Sequence, residues 1–128
     1  MSRANVLVVD DDRDIAANLA DILHSFGYDT DLAYDGASAI ALAREKTYDV
    51  ALLDYKMPDM DGATLYADLK RIQPAMVAIL ITAYAGNDGV QRALAAGTWK
   101  VLRKPVDVPQ MLDLVKHAVD QPVILLVD

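Results

Sequence analysis

Apolar runs alternate along this chain with segments whose apolar residues recur every three to four positions. The clearest run covers residues 50–53 and is followed at once by a carboxylate, Asp54. A short apolar run bounded by turn residues predicts a strand that is buried on both faces. Asp54 would then lie at the carboxyl end of that strand, where open α/β sheets bind their ligands. A carboxylate in that place is costly to bury unless a positive group meets it.

Four further apolar runs predict strands, at residues 6–9, 28–33, 76–81 and 99–103. The run at 28–33 is the weakest, because Asp29 and Asp31 alternate with its other residues as in an edge strand. Apolar residues at helical spacing predict five helices between and after the strands. They are expected from residue 14 to 26, 37 to 46, 62 to 73, 87 or 88 to 97, and after residue 107.

Several helix boundaries carry signals of their own. Asp35 and Asp107 precede the second and the last helix, where an aspartate side chain caps the exposed N–H groups of a first turn. Gly27 follows the first helix, at the position where a left-handed glycine commonly ends a helix. Pro74 stops the third helix, since proline cannot continue one.

Five strand–helix units predict an α/β protein with a doubly wound parallel sheet that is covered on both faces. Right-handed crossovers then bring the carboxyl ends of all five strands to one edge. That edge receives five polar residues, each of which closes or follows a strand: Asp10, Asp11, Asp54, Thr82 and Lys104. Polar residues concentrated at strand ends indicate a binding or reaction site rather than a core.

Composition narrows the class of protein. A chain of 128 residues with 54% hydrophobic residues is long enough for one globular domain and too short for two. A net charge of −7 argues against nucleic-acid binding by this segment. The absence of cysteine excludes disulfides and thiolate metal sites. No run approaches the ~18 apolar residues of a membrane span, and residues 1–5 lack a signal-peptide layout, so a cytoplasmic protein is expected.

Three converging carboxylates repel one another, and such a cluster recruits a cation or raises a carboxyl pKa. Oxygen ligands without histidine or cysteine favour Mg²⁺. Lys104 and Thr82 add a positive charge and a hydroxyl donor that suit anionic oxygens. Together with Asp54 these groups predict in-line phosphoryl transfer onto an aspartate.

The same residues fall within motifs of a known family. The motifs are Val8-Val9-Asp10-Asp11, Asp54-x-x-Met57-Pro58-x-Met60-Asp61-Gly62, Thr82-Ala83 and Lys104-Pro105. In order and spacing, the chain resembles the receiver domain of two-component response regulators over about residues 4–120. The resemblance implies a flavodoxin-like (βα)5 fold with strand order 2-1-3-4-5.

The resemblance also implies a metal site and a phosphoacceptor. Asp54 would take a phosphoryl group from the phosphohistidine of a histidine kinase or a histidine phosphotransfer protein. Mg²⁺ would be bound by Asp11 directly, by Asp10 through water, by Asp54 and by the backbone carbonyl of Lys56. The protein would act in phosphorelay signalling as a 4-aspartylphosphate phosphoprotein and would not be a turnover enzyme, although its groups would catalyse their own phosphorylation and dephosphorylation.

Two further residues complete the implied switch. Lys104 would bond a phosphoryl oxygen, and Thr82 would swing towards the phosphoryl group and so change an interaction surface. That surface would comprise the last strand, the last helix and the helix after Thr82. The family usually has Tyr or Phe at the position of Val101, so the usual coupling of that aromatic to the threonine is expected to be altered.

Trp99 is the aromatic residue nearest to Val101 in the sequence. Strand alternation predicts that Trp99 lies on the same face as Val101 two positions later, as a partly exposed packing or interface residue.

Lys56 and Tyr84 stand two residues beyond Asp54 and Thr82. In receiver domains these two positions flank the phosphoryl group and govern the access of water, so the resemblance implies an aspartyl phosphate that lasts for hours. The alternative is that both side chains point to solvent.

The end of the chain raises a question of domain organisation. Residues 1–120 are predicted to form the receiver domain, and 121–128 a linker and the candidate first strand of a following domain. The apolar run 123–127 ends in Asp128 and so echoes residues 6–10. The alternative is an extension that packs on the same domain or on a neighbouring copy, and an unpaired apolar strand of this kind favours a dimer.

Two other functions remain open at this point. One is a Mg²⁺-dependent phosphatase of the haloacid-dehalogenase kind with Asp10 as nucleophile, although Asp12 is followed by Arg13 and Asp14 rather than by the expected Thr or Val. The other is a phosphorylation-independent protein-interaction domain on the same fold. The five polar residues at strand ends argue against this second alternative, while Val101 leaves room for it.

Overall fold

The computed structural model describes residues 3–83 and 88–120, in which five strands alternate with five helices. The strands are β1 (Asn5–Val9), β2 (Asp29–Ala33), β3 (Val50–Asp54), β4 (Val77–Thr82) and β5 (Lys100–Arg103). The helices are α1 (Arg13–Ser25), α2 (Gly36–Glu45), α3 (Gly62–Ile72), α4 (Asp88–Ala95) and α5 (Val108–Asp120). All ten predicted elements are therefore present, with ends that differ by a few residues at most.

The five strands form one parallel sheet in the order β2-β1-β3-β4-β5. This confirms the predicted flavodoxin-like topology. The predicted edge position of β2 is also correct, and four of its five residues are only half-buried. The register pairs Val9 with Leu53 and Leu53 with Leu80, so the carboxyl ends of the central strands are aligned. The residues that follow these ends are brought together as a consequence.

Strand β3 is central because its apolar side chains fill both layers of the core. All five of its residues are buried. Leu53 packs in the cluster formed with α2, α3 and α4, and Leu52 packs in the cluster formed with α1 and α5. Burial on both faces explains why the sequence of this strand is a continuous apolar run rather than an alternation.

The predicted helix caps are formed. The side chain of Asp35 accepts a hydrogen bond from the backbone N–H of Ser38 at 2.7 Å, and that of Asp107 accepts from Gln110 at 3.0 Å. Gly27 has φ of 96°, a left-handed conformation that residues with a side chain rarely adopt. These local interactions fix where α1 ends and where α2 and α5 begin.

The expectation that Trp99 shares a face with Val101 is wrong. Val101 packs against the cluster of α2, α3 and α4, whereas Trp99 packs against the cluster of α1 and α5. The reason is that β5 begins only at Lys100, so strand alternation does not extend back to Trp99. Trp99 is half-buried, in agreement with its predicted packing role.

Two predictions concern residues outside the described ranges. They are the role of Tyr84 in the lifetime of a phosphoryl group, and the strand, linker and dimer contact expected of residues 121–128. Within the ranges that the structure describes, every helix is too short or too polar to cross a membrane.

Candidate functional site

The carboxyl edge of the sheet brings three aspartates together. Asp10 follows β1 and Asp54 ends the adjacent β3, and only 1% and 2% of these residues are exposed. Asp11 is exposed at the rim. Carboxylate oxygens of the three residues lie within 4.8 Å of one another. Such a group has the donor type and spacing of a metal site.

Lys104 supplies the positive charge that the sequence required at this edge. It follows β5, and its Nζ lies 3.0 Å from Asp54 Oδ1 and 3.7 Å from Asp10 Oδ2. Its backbone N–H donates to the carbonyl of Thr82 at 2.9 Å, and the Lys104–Pro105 peptide bond is cis. The ammonium therefore faces two buried carboxylates and is only 28% exposed itself.

One carboxylate oxygen of Asp10 lacks a hydrogen bond. Its Oδ1 accepts from the backbone N–H of Asp12 at 2.9 Å, but its buried Oδ2 has no hydrogen-bond partner in the described part of the chain. The 3.7 Å contact with Lys104 is too long for a hydrogen bond. A buried charged oxygen without a partner is costly. A bound cation is one way to satisfy it.

Burial and the charges at this edge shift the pKa values of Asp54 and Lys104. Burial raises the pKa of Asp54 to about 7; the negative charge of Asp10 and a hydrogen bond with Asp11 add to the rise, and Lys104 opposes it. Burial alone would lower the pKa of Lys104, but its hydrogen bond to Asp54 and the three surrounding carboxylates raise it. The site thus has too much negative charge for its single lysine to neutralise.

The structure brings four of the predicted site residues into one charged cluster: Asp10, Asp11, Asp54 and Lys104. Thr82 is buried at the end of β4, in the strand next to Asp54, as predicted. Lys56 lies in the loop after β3 with an exposed side chain. Its role through the backbone carbonyl stays a prediction.

The loop after β3 explains part of the motif that follows Asp54. A Cβ atom on Gly62 would lie 2.8 Å from the carbonyl oxygen of Asp54, so only glycine lets α3 begin this close to β3. Met60 packs directly over Gly36, and a Cβ atom on Gly36 would lie 2.5 Å from the sulfur of Met60. Both residues hold the loop in place and neither carries the chemistry.

Sequence reasoning missed two residues around the site. The carboxylate of Asp59 accepts from the backbone N–H groups of Gly36 and Ala37, at 3.1 and 3.2 Å, and so ties the loop to the start of α2. The side chain of Tyr55, the residue after Asp54, extends to Gly89 in α4. Both interactions join distant segments, so no local pattern could have indicated them.

The chain belongs to the response regulator receiver domain family. The model of that family matches residues 6–116, which include every predicted site residue. Membership supports neither the phosphatase alternative nor the phosphorylation-independent one. The chain is thus a receiver domain of two-component response regulators, a signalling domain rather than a classical enzyme.

Individual relatives agree with this assignment. The chain is 46% identical over 108 residues to a response regulator receiver protein of Anaeromyxobacter, which covers 84% of the chain and 45% of that protein. The chain therefore spans less than half of the length of this curated relative, and still less of several others.

Solved structures show the same fold. A CheY-like receiver domain protein from Methanospirillum hungatei matches with a TM-score of 0.90 and 31% identity, over 93% of this chain and 95% of that one. A response regulator protein from Burkholderia pseudomallei, solved with a phosphorylated aspartic acid, a calcium ion and citrate, matches with a TM-score of 0.80 and 27% identity. That match covers 95% of this chain and 77% of the other.

Proposed function

We propose that Asp54 is the phosphoacceptor of this receiver domain, and that it takes its phosphoryl group from a phosphohistidine. The observation that carries the proposal is the buried carboxylate of Asp54, 3.0 Å from Lys104 and grouped with Asp10 and Asp11. A carboxylate held beside a cation at the carboxyl edge of a parallel sheet is suitably placed to attack a phosphorus atom.

The residues present fit a Mg²⁺ ion. The side-chain donors are all carboxylate oxygens, and Asp10 contributes a buried oxygen that lacks a hydrogen bond within the described residues. The side chains of Asp10, Asp11 and Asp54 and the carbonyl of Lys56 would hold the ion. When bound, Mg²⁺ supplies positive charge that neutralises the phosphoryl oxygens.

The chain's own groups account for the rest of the transfer. An oxygen of Asp54 forms a bond to phosphorus while the phosphorus–nitrogen bond of the phosphohistidine breaks, and the imidazole keeps the electron pair. Lys104 holds a phosphoryl oxygen through a charge-assisted hydrogen bond, and the Thr82 hydroxyl donates to another. Attack of water on the aspartyl phosphate would later release inorganic phosphate and restore Asp54.

Asp54 must be ionised in order to attack. With a pKa of about 7, the carboxyl group of Asp54 is partly protonated at neutral pH when no cation is bound. A cation beside the carboxylate favours the charged form and so lowers that pKa. A bound cation would therefore increase the fraction of Asp54 that is ionised and able to attack.

The phosphorylated aspartic acid and the calcium ion of the Burkholderia response regulator support this assignment by analogy. The partner would be a histidine kinase or a histidine phosphotransfer protein, and the location the cytoplasm. We also propose that residues 121–128 form a linker and the first strand of a following domain, since the chain spans 45% of its Anaeromyxobacter relative. Dimerisation through residues 121–128 is tested by deleting them and measuring the oligomeric state.

The proposed function is tested by intact mass after incubation with acetyl phosphate and Mg²⁺. The chain should gain one phosphoryl group and Asp54→Asn none, because the amide is not a nucleophile. Asp21→Asn, which changes an exposed carboxylate on α1, is the matched control and should gain the group normally. Absence of a gain on the unaltered chain, with Mg²⁺ bound, would overturn the proposal.

The same samples test the predicted lifetime of the phosphoryl group. We propose that Lys56 and Tyr84 slow the approach of the hydrolytic water, so that the added mass decays over hours. A half-life of minutes in Mg²⁺ buffer would contradict this. Tyr84→Ala is the informative variant, since it removes the bulk but leaves Asp54 and Lys104 unchanged.

A further inference from the structure

The peptide groups on either side of Tyr55 connect three elements at the carboxyl edge. Tyr55 directly follows Asp54, and its backbone N–H donates to the carbonyl of Ile81 in β4 at 2.8 Å. Its own carbonyl accepts from the N–H of Gly62, the first residue of α3, at 2.6 Å. A displacement at the end of β3 must therefore also move Tyr55 or break one of these bonds.

The side chain of Tyr55 extends the connection to α4. It is half-buried against the cluster formed with α2, α3 and α4. A Cβ atom on Gly89, in the first turn of α4, would lie 1.5 Å from the Tyr55 hydroxyl oxygen and 2.4 Å from Cζ. The phenol thus occupies the space that any other residue at this position would fill. Gly89 is needed for close approach and not for an unusual backbone conformation.

Helix α4 is short, and the residue that contacts Tyr55 is one of the few that the helix buries. Only Gly89, Val90 and Ala93 of its eight residues are buried. Gly89 meets the phenol, while Val90 and Ala93 enter the same apolar cluster as Tyr55. Close packing leaves little space into which either partner can shift alone. The position of the first turn of α4 is consequently tied to the position of the Tyr55 ring.

We propose that Tyr55 is a positioning residue that couples the chemical state of Asp54 to helix α4 through its contact with Gly89. The inference rests on the proposed function of Asp54. Phosphorylation adds bulk and charge beside the peptide that Asp54 shares with Tyr55. The ring transmits the resulting shift to the first turn of α4, and the two arrangements of α4 are populated according to how well each accommodates the ring.

Three variants, built from two substitutions, separate coupling from simple stability. Tyr55→Leu removes the phenol and leaves an apolar side chain in the cluster. Gly89→Ala places a methyl group where the phenol lies and must displace one of the two. The double variant Tyr55→Leu with Gly89→Ala relieves that overlap, so it should recover the thermal stability that Gly89→Ala loses. It should not recover the coupling, because the ring is absent.

The readout is hydrogen–deuterium exchange of the α4 backbone amides before and after phosphorylation, with intact mass measured on the same samples. In the unaltered chain, phosphorylation should change the α4 exchange rates. In Tyr55→Leu and in the double variant, one phosphoryl group should still be gained, but the α4 response should fall to less than half. Tyr55→Phe keeps the ring and should retain most of the response.

The outcomes separate this inference from the function on which it rests. If the unaltered chain gains no phosphoryl group, the proposed function fails and this inference fails with it. If it gains the group and α4 responds equally in the unaltered chain, Tyr55→Leu and the double variant, the coupling role is wrong while the phosphoacceptor stands. A phosphorylated chain whose α4 amides show no change in exchange would also overturn the coupling.

Discussion

Two groups of polar residues in this domain lie close to the core, and they differ in how their charges are satisfied. At the side of β2, Asp31 accepts hydrogen bonds from the Tyr48 hydroxyl at 2.7 Å and from Lys46 Nζ at 3.0 Å. At the carboxyl edge, a buried oxygen of Asp10 has no hydrogen bond among the described residues. The charge of Asp54 is balanced there by an ion pair with Lys104.

The two groups have opposite effects on carboxyl ionisation. The hydrogen bond from Tyr48 lowers the pKa of Asp31, helped by Lys46 and against a smaller effect of burial. Burial raises the pKa of Asp54 to about 7. The first group is complete without a ligand and stabilises the fold. The second is incomplete, and groups left in this condition are typical of functional sites.

The largest expected difference concerns the two lysines. Lys104→Met should slow phosphorylation of Asp54 by about 10²–10³-fold, since one charged donor to the transferring group is lost. Lys46→Met removes a lysine from the other group and should leave the rate unchanged. The measurement is the rate of mass gain with acetyl phosphate and Mg²⁺. Equal rates for the two variants would show that Lys104 does not act on the phosphoryl group.

The pH dependence of stability should differ in sign between the groups. Asp54 has a folded pKa of about 7 against an ordinary value of 3.8, so the folded state holds a proton that the unfolded state releases. Its contribution to the free energy of unfolding is therefore present at low pH and is lost as the pH rises towards 7. Folding lowers the pKa of Asp31 below its ordinary value of 3.8. Its contribution to the free energy of unfolding is therefore present above pH 3.8, and it is lost as the pH falls through the pKa of the folded state.

Chemical unfolding from pH 4 to 8 with a metal chelator tests this contrast. The stability of Asp54→Asn relative to the unaltered chain should increase steadily between pH 4 and 7, whereas Asp31→Asn should show no trend in that range. A constant difference between Asp54→Asn and the unaltered chain would mean that burial does not raise the pKa of Asp54.

The smallest effect is expected from Tyr48→Phe. The ring stays buried, and only the hydrogen bond to Asp31 is removed, so the free energy of unfolding should fall by about 1 kcal/mol. Phosphorylation and Mg²⁺ binding should not change. Thermal unfolding and the phosphorylation assay together check this. A change in phosphorylation would show that the two groups are not independent.

The same contrast explains what the sequence could predict. The buried strand β3 was predictable because a continuous apolar run ends at Asp54, and the edge strand β2 because Asp29 and Asp31 interrupt its apolar pattern. The convergence of Asp10, Asp54 and Lys104 followed from the topology of parallel sheets, which sends successive strand ends to one edge.

Features that depend on packing between distant segments were not predictable. Strand β5 begins at Lys100, where its pairing with Ile79 begins, and this boundary put Trp99 on the opposite side of the sheet from the one expected. The contact of Tyr55 with Gly89 has the same origin. An apolar pattern indicates which face is buried, but it does not say which residue of another helix will be met there.

The central claim is that the incomplete group at the carboxyl edge receives the phosphoryl group. The most direct measurement is peptide mapping by tandem mass spectrometry of the chain treated with acetyl phosphate and Mg²⁺. The account predicts one added phosphoryl group, located on Asp54. A phosphoryl group located on Asp10, on Asp31 or on any other residue would contradict it.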